Sequence, residues 1–150
     1  MSRPHGSITR RIYSRRVRIA VPVCAVVALL AAGCGARSST PFTAKGTVAC
    51  LKKEGFTGVT TNPGKVGFIA GFAANGGIRA VSPNQNVLTI AFAADTDGVS
   101  STEKAFRLHA PAELRPHISD VMSSNRNAVV VWTTSPAAED SSAVNGCLGS

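Results

Sequence analysis

The run from Ile19 to Ala32 constrains this chain more than any other segment. It holds 14 uncharged residues and comes after a start that carries Arg3, Arg10, Arg11, Arg15, Arg16 and Arg18. A helix of that length reaches roughly 21 Å, whereas bilayer hydrocarbon is about 30 Å thick. Pro22 within the run, and Gly33 and Gly35 at its end, weaken a continuous span further. A basic head, a short apolar middle and a small-residue end make an export signal. The chain beyond this signal is long enough for one small domain with a modest core.

The run closes on Leu29-Leu30-Ala31-Ala32-Gly33-Cys34. A cysteine directly after Ala-Ala-Gly resembles the lipobox of bacterial lipoproteins, a resemblance confined to about residues 1–34. It implies cleavage before Cys34 and a diacylglyceryl group on the Cys34 thiol. Two acyl chains suffice for stable anchoring, so it also implies a lipid anchor on the extracytoplasmic face of the cell membrane. Ordinary secretion with cleavage near Ala32 and an uncleaved anchor are the alternatives. Ser14-Arg15-Arg16 echoes a twin-arginine signal, but Arg18 stands where that motif wants an apolar residue. Gly35 to Pro41 is small and polar, a linker composition. The expected organisation is a signal peptide over 1–33, the lipidated cysteine and a flexible tether over 34–42, and a single small domain over 43–150.

The formal charge of +8 invites a nucleic-acid reading, but six of the 16 Lys and Arg residues precede Cys34, where there is no acid. The remainder carries ten bases against all eight acids, a net of about +2. Those bases are scattered and aromatics are few, so neither a basic stripe nor a stacking platform emerges. Nucleic acid is excluded as a partner class. Cys24 falls inside the signal and Cys34 would be lipidated, as the resemblance implies, which leaves Cys50 and Cys147. In an exported chain such a pair is most simply a disulfide; a metal pair or two free thiols are the alternatives.

Thr43 to Glu54 reads as a helix capped by Thr43, with Val48 and Leu51 on one face and Gly55 ending it. Residues 56–77, rich in glycine and broken by Asn62-Pro63-Gly64, resist assignment, although Phe56 and Val59 suit a short strand and Val66 to Phe72 is apolar enough to pack. Ile78–Val81 and Val87–Ala93 read as a hairpin around Ser82–Asn86, with Leu88, Ile90 and Phe92 on one face. Ser100 and Glu103 have capping-box spacing before a helix over Ser101–Ala110, which Pro111 stops. Ile118–Met122 and Ala128–Thr134 predict a second hairpin around Ser123–Asn127, and Glu139–Leu148 a last helix. The two Asn-rich turns match at an offset of 41, which raises the question of a duplicated unit. The expected fold is α+β: a small antiparallel sheet of about four strands in two hairpins, helices on one face, and a single disulfide stapling the first helix to the last.

Chemistry is harder to find. Ser101-Thr102-Glu103-Lys104 spells the Ser-x-x-Lys of penicillin-binding proteins, but no Lys-Thr-Gly comes after it and helix capping explains the same residues. His109 and His117 are separated by Pro111 and Pro116, so they cannot share a helical face as a metal pair would; Glu113 and Asp120 would join them only through the fold. Gly64-Lys65 lacks the rest of a phosphate loop. Trp132 alternates with Val131 and Thr133; facing outward it would be a partner-contact anchor, and facing inward it is core. The sequence therefore predicts a lipid-anchored, non-enzymatic binding or accessory domain of the cell envelope, with no cofactor, no metal and no catalytic residues. Its partner would be an unknown envelope protein or small ligand. The rival is a small cell-envelope hydrolase using Ser101 or a His109/His117 site.

Overall fold

The computed structural model describes residues 40–149; the signal, Cys34 and the first part of the tether lie outside the described residues. Helix α1 (Ala44–Lys53) starts where the sequence places it. Thr43 Oγ1 accepts from the Gly46 amide at 3.1 Å, and Lys52 and Lys53 complement the dipole in its last turn. Gly55, at φ +86°, turns the chain out of the helix, a conformation that costs glycine little. The short strand β1 (Thr57–Thr60) comes next. An Asn-Pro-Gly turn and the single-turn helix α2 (Phe68–Gly71) lead into β2 (Gly77–Val81) and β3 (Val87–Phe92). Helix α3 (Asp97–His109), a 3-10 turn (Arg115–His117), the single-turn α4 (Ile118–Val121), β4 (Met122–Asn125), β5 (Ala128–Trp132) and α5 (Ala138–Cys147) complete the chain.

The strands form one fully antiparallel sheet in the order β1-β2-β3-β5-β4. The two hairpins therefore meet at β3 and β5, and four-residue strands close both edges, short enough to limit unwanted edge pairing. The fifth strand beyond the four expected is β1, from the segment that resisted assignment. On one face Ile78, Leu88, Ile90, Phe92, Val130 and Trp132 pack against Leu51 of α1 and Val144 and Leu148 at α5. Each such fully buried side chain contributes about 1.5–3 kcal/mol. Cys50 and Cys147 are disulfide-bonded and join α1 to α5 over this core. Strand alternation turns Ala91, Ala93 and Val129 the other way, where they meet Val66, Ala70, Val99 and Phe106. The helices expected on one face correspond to the α1/α5 layer, and α2 and α3 form a second, smaller layer opposite.

Three local readings change. Ile118–Val121 is helical, and Ser123–Asn125, expected in a loop, is strand β4 paired to β5. The hairpin therefore turns tightly at Arg126 and Asn127, and the strand begins four residues later than its apolar residues suggest. Helix α3 begins at Asp97 rather than Ser101. Asp95 Oδ1 receives the Gly98 amide at 2.9 Å, while Ser101 and Thr102 both donate back to the Gly98 carbonyl from within the helix. Asp95, not Ser100, thus satisfies the open first turn. Finally, Phe42 is held rather than loose: Asn127 bonds both its amide and its carbonyl, and the Arg126 guanidinium lies 4.3 Å over its ring.

The two turns share one more property. Gln85 and Arg126, 41 residues apart, are the two non-glycine positions with positive φ among the described residues (62° and 53°). Yet the same offset carries Leu88, under α1, onto Val129, which faces α3. A one-residue shift reverses every side chain in a strand, so the likeness is one of turns and does not extend to superposable units.

Candidate functional site

The second face of the sheet is only partly covered, and its open part is a groove of about 340 Å³. Its floor is a row across three strands: Arg79 of β2 pairs with Thr89 of β3, which pairs with Val131 of β5. All three alternate with core residues, so they point away from the disulfide side. Ile69 and Ala70 of α2 form one wall, Phe106 of α3 another, and Leu114 and Ile118 close the third side.

Local chemistry sets each wall. The Asn62 carbonyl accepts from the amides of Lys65 and Val66, and its side-chain oxygen accepts from Gly64 at 3.0 Å; this turn drives Val66 into the sheet. Helix α2 then lies directly on β2, so closely that a Cβ on Gly77 would sit 2.4 Å from the Ala70 carbonyl oxygen. Only glycine fits there. The opposite wall is fixed where α3 stops at Pro111, with Arg115 Nε donating to the Ala110 carbonyl at 2.9 Å.

The lining is apolar apart from Arg79, Thr89 and His109, and no carboxylate borders it. Arg79 is exposed and makes no hydrogen bond or ion pair with the described residues. His109 stands at the mouth, its ring 6.4 Å from that of Phe68. Phe68 is 75% exposed and Phe72 81%, their rings 5.1 Å apart. Large apolar side chains left in water beside an apolar groove mark a binding surface.

The residues singled out from the sequence are not gathered here. Trp132 is 3% exposed and packs against Phe56 at 6.5 Å between ring centres, which is the inward alternative and not a surface anchor. It does form part of a smaller recess of about 230 Å³ with Asp120, Ser141 and Asn145. Ser101 borders a separate shallow depression with Phe72 and Ala105. His117 faces Asp120 at 3.6 Å in solvent. Among the described residues no group of three or more His, Cys, Asp or Glu is placed to hold a metal ion, and no helix is long and apolar enough to cross a membrane. Cys34 lies outside the described residues.

The sequence reading missed the groove, although a signal was present. Arg79 and Thr89 interrupt apolar strands at alternate positions, opposite in phase to Ile78, Ala80, Leu88 and Ile90. A lone arginine on the second face of a hairpin is a position to inspect. No protein-family model, curated protein or solved structure matches this chain.

Proposed function

We propose that this chain is exported, held at the extracytoplasmic face of a cell membrane by lipidated Cys34, and acts there as a non-enzymatic binding domain with the groove as its ligand seat. The observation that carries the binding role is the apolar groove with Arg79 on its floor, which has no hydrogen-bond or ion-pair partner among the described residues. Its volume lies within the roughly 300–1,000 Å³ of small-ligand sites, which favours a small ligand over an envelope protein. The lipobox-like Leu29–Cys34 stretch supports the anchor. For the hydrolase alternative no observation speaks: Ser101, His109 and His117 occupy three different places.

The test is a Cys34→Ala chain compared with wild type by membrane fractionation and by the size of the processed product. The proposal expects released protein or an uncut precursor. Unchanged processing and fractionation would replace the lipid anchor with a spanning one.

A further inference from the structure

We infer that the groove seats a single-chain fatty carboxylate, its tail along Ile69, Phe106 and Leu114 and its carboxylate paired with Arg79. This deepens the binding-domain reading and rests on it for the supply of ligand, since a bilayer-held domain meets such amphiphiles in the membrane that holds it.

Three observations converge. First, the walls are hydrocarbon and the floor carries one fixed charge. Arg79 projects from the middle of β2 and is exposed, so its charge stays in contact with solvent. The unoccupied site therefore leaves no charge buried. Second, that charge has no carboxylate to answer it within the groove. The planar guanidinium fork matches a carboxylate through two parallel hydrogen bonds. One cation complements one negative charge, which favours a carboxylate over a phosphate monoester carrying nearly two.

Third, the exposed apolar rim lies at the end of the domain where the tether arrives. The Ala44 amide donates to the Asn75 carbonyl at 3.0 Å, and Asn75 is three residues beyond Phe72, a span of at most about 11 Å. Phe72 thus lies near the start of α1, and the exposed rings of Phe68 and Phe72 give an amphiphile an apolar path to the groove.

The experiment uses the full-length chain as processed, reconstituted in phosphatidylcholine discs and titrated with carboxyl-labelled (carbon-13) dodecanoate. Empty discs report the bilayer-dissolved signal. The inference expects a separate carboxyl resonance saturating at one equivalent per chain. Arg79→Gln should weaken that binding about tenfold or more, the loss of a hydrogen-bonded charge pair, while Arg79→Lys retains part of it. Thr89→Phe, which fills the floor with a residue suited to a strand, should abolish it.

Dodecanol binding as tightly as dodecanoate would overturn the role of Arg79, and butyrate binding as tightly would overturn the role of the apolar walls. A dodecanoate signal identical to that of empty discs would overturn the inference outright. Membrane attachment is scored separately by processing and fractionation, so a failed anchor with intact dodecanoate binding is distinguishable from an intact anchor with an empty groove.

Discussion

Asn127 offers the sharpest test of how the domain is closed. Its side chain is 2% exposed and makes three hydrogen bonds: Oδ1 accepts from the Phe42 amide at 2.8 Å, and Nδ2 donates to the carbonyls of Phe42 and Ala93, both at 2.9 Å. Asn127→Ala removes all three. The Ala93 carbonyl keeps Asn75 Nδ2 at 2.7 Å, so the orphaned groups are the two on the half-buried Phe42. At a net of about 0.5–1.5 kcal/mol per bond, the loss should be about 2–4 kcal/mol. Asn127→Asp is nearly isosteric yet should cost more. One carboxylate oxygen still accepts from Phe42, but the other then faces two carbonyl oxygens in a buried site. That environment favours the neutral acid and raises the carboxyl's folded pKa. A raised pKa means stability that is present at low pH and lost as pH rises through the folded value. The Asp variant should therefore recover on acidification relative to Ala. Urea unfolding of the disulfide-intact chain from pH 4 to pH 7 measures both, with the midpoint moving and the slope unchanged. An Asp variant as stable as wild type at pH 7, or an Ala variant within about 0.5 kcal/mol, would refute this reasoning.

Three further outcomes are expected. Replacing Cys50 and Cys147 together by Ala should cost about 2–4 kcal/mol, bounded near 4.7 by the chain entropy of a loop with 97-residue separation; thermal unfolding with and without reductant checks it. Gly77→Val should destabilise by more than about 1 kcal/mol and disrupt the groove, because the new Cβ meets the Ala70 backbone at 2.4 Å; proton-nitrogen correlation spectra should show shifts concentrated in 66–72. Phe68→Ala and Phe72→Ala should change stability by less than about 1 kcal/mol, since both rings stand in water, whereas Phe92→Ala in the core should cost about 3–5 kcal/mol; parallel denaturant titrations separate the two classes.

Much of the architecture was legible because its signals are local. Thr43, Leu51 and Gly55 delimit α1 without help from the rest of the chain, and the alternation of Leu88, Ile90 and Phe92 gives β3 and the face it buries. The disulfide was legible once Cys24 and Cys34 were set aside with the signal, which leaves a single pair. What escaped was decided by tertiary contact. Ser123 and Ser124 are poor strand formers that become β4 because β5 offers a row of unpaired backbone groups. Ile118 and Val121, apolar enough for a strand, are buried from a helical turn instead. The α3 start went astray because Ser100 and Glu103 carry a capping pattern, and Asp95, which has the same three-residue spacing to the Gly98 amide that it caps, was passed over in favour of that pair. The groove was least legible of all. Its walls come from three separated segments, and Arg79 looks like one more scattered base until β2, β3 and β5 align it with Thr89 and Val131.

Attachment of the domain to a membrane through Cys34 is the central claim, and intact-mass spectrometry of the protein extracted from its membrane tests it directly. The predicted result is a chain that begins at Cys34, lacks residues 1–33 and carries the added mass of a diacylglyceryl group on that cysteine. An unmodified Cys34, whether in a chain that retains residues 1–33 or in one cut elsewhere, would contradict it.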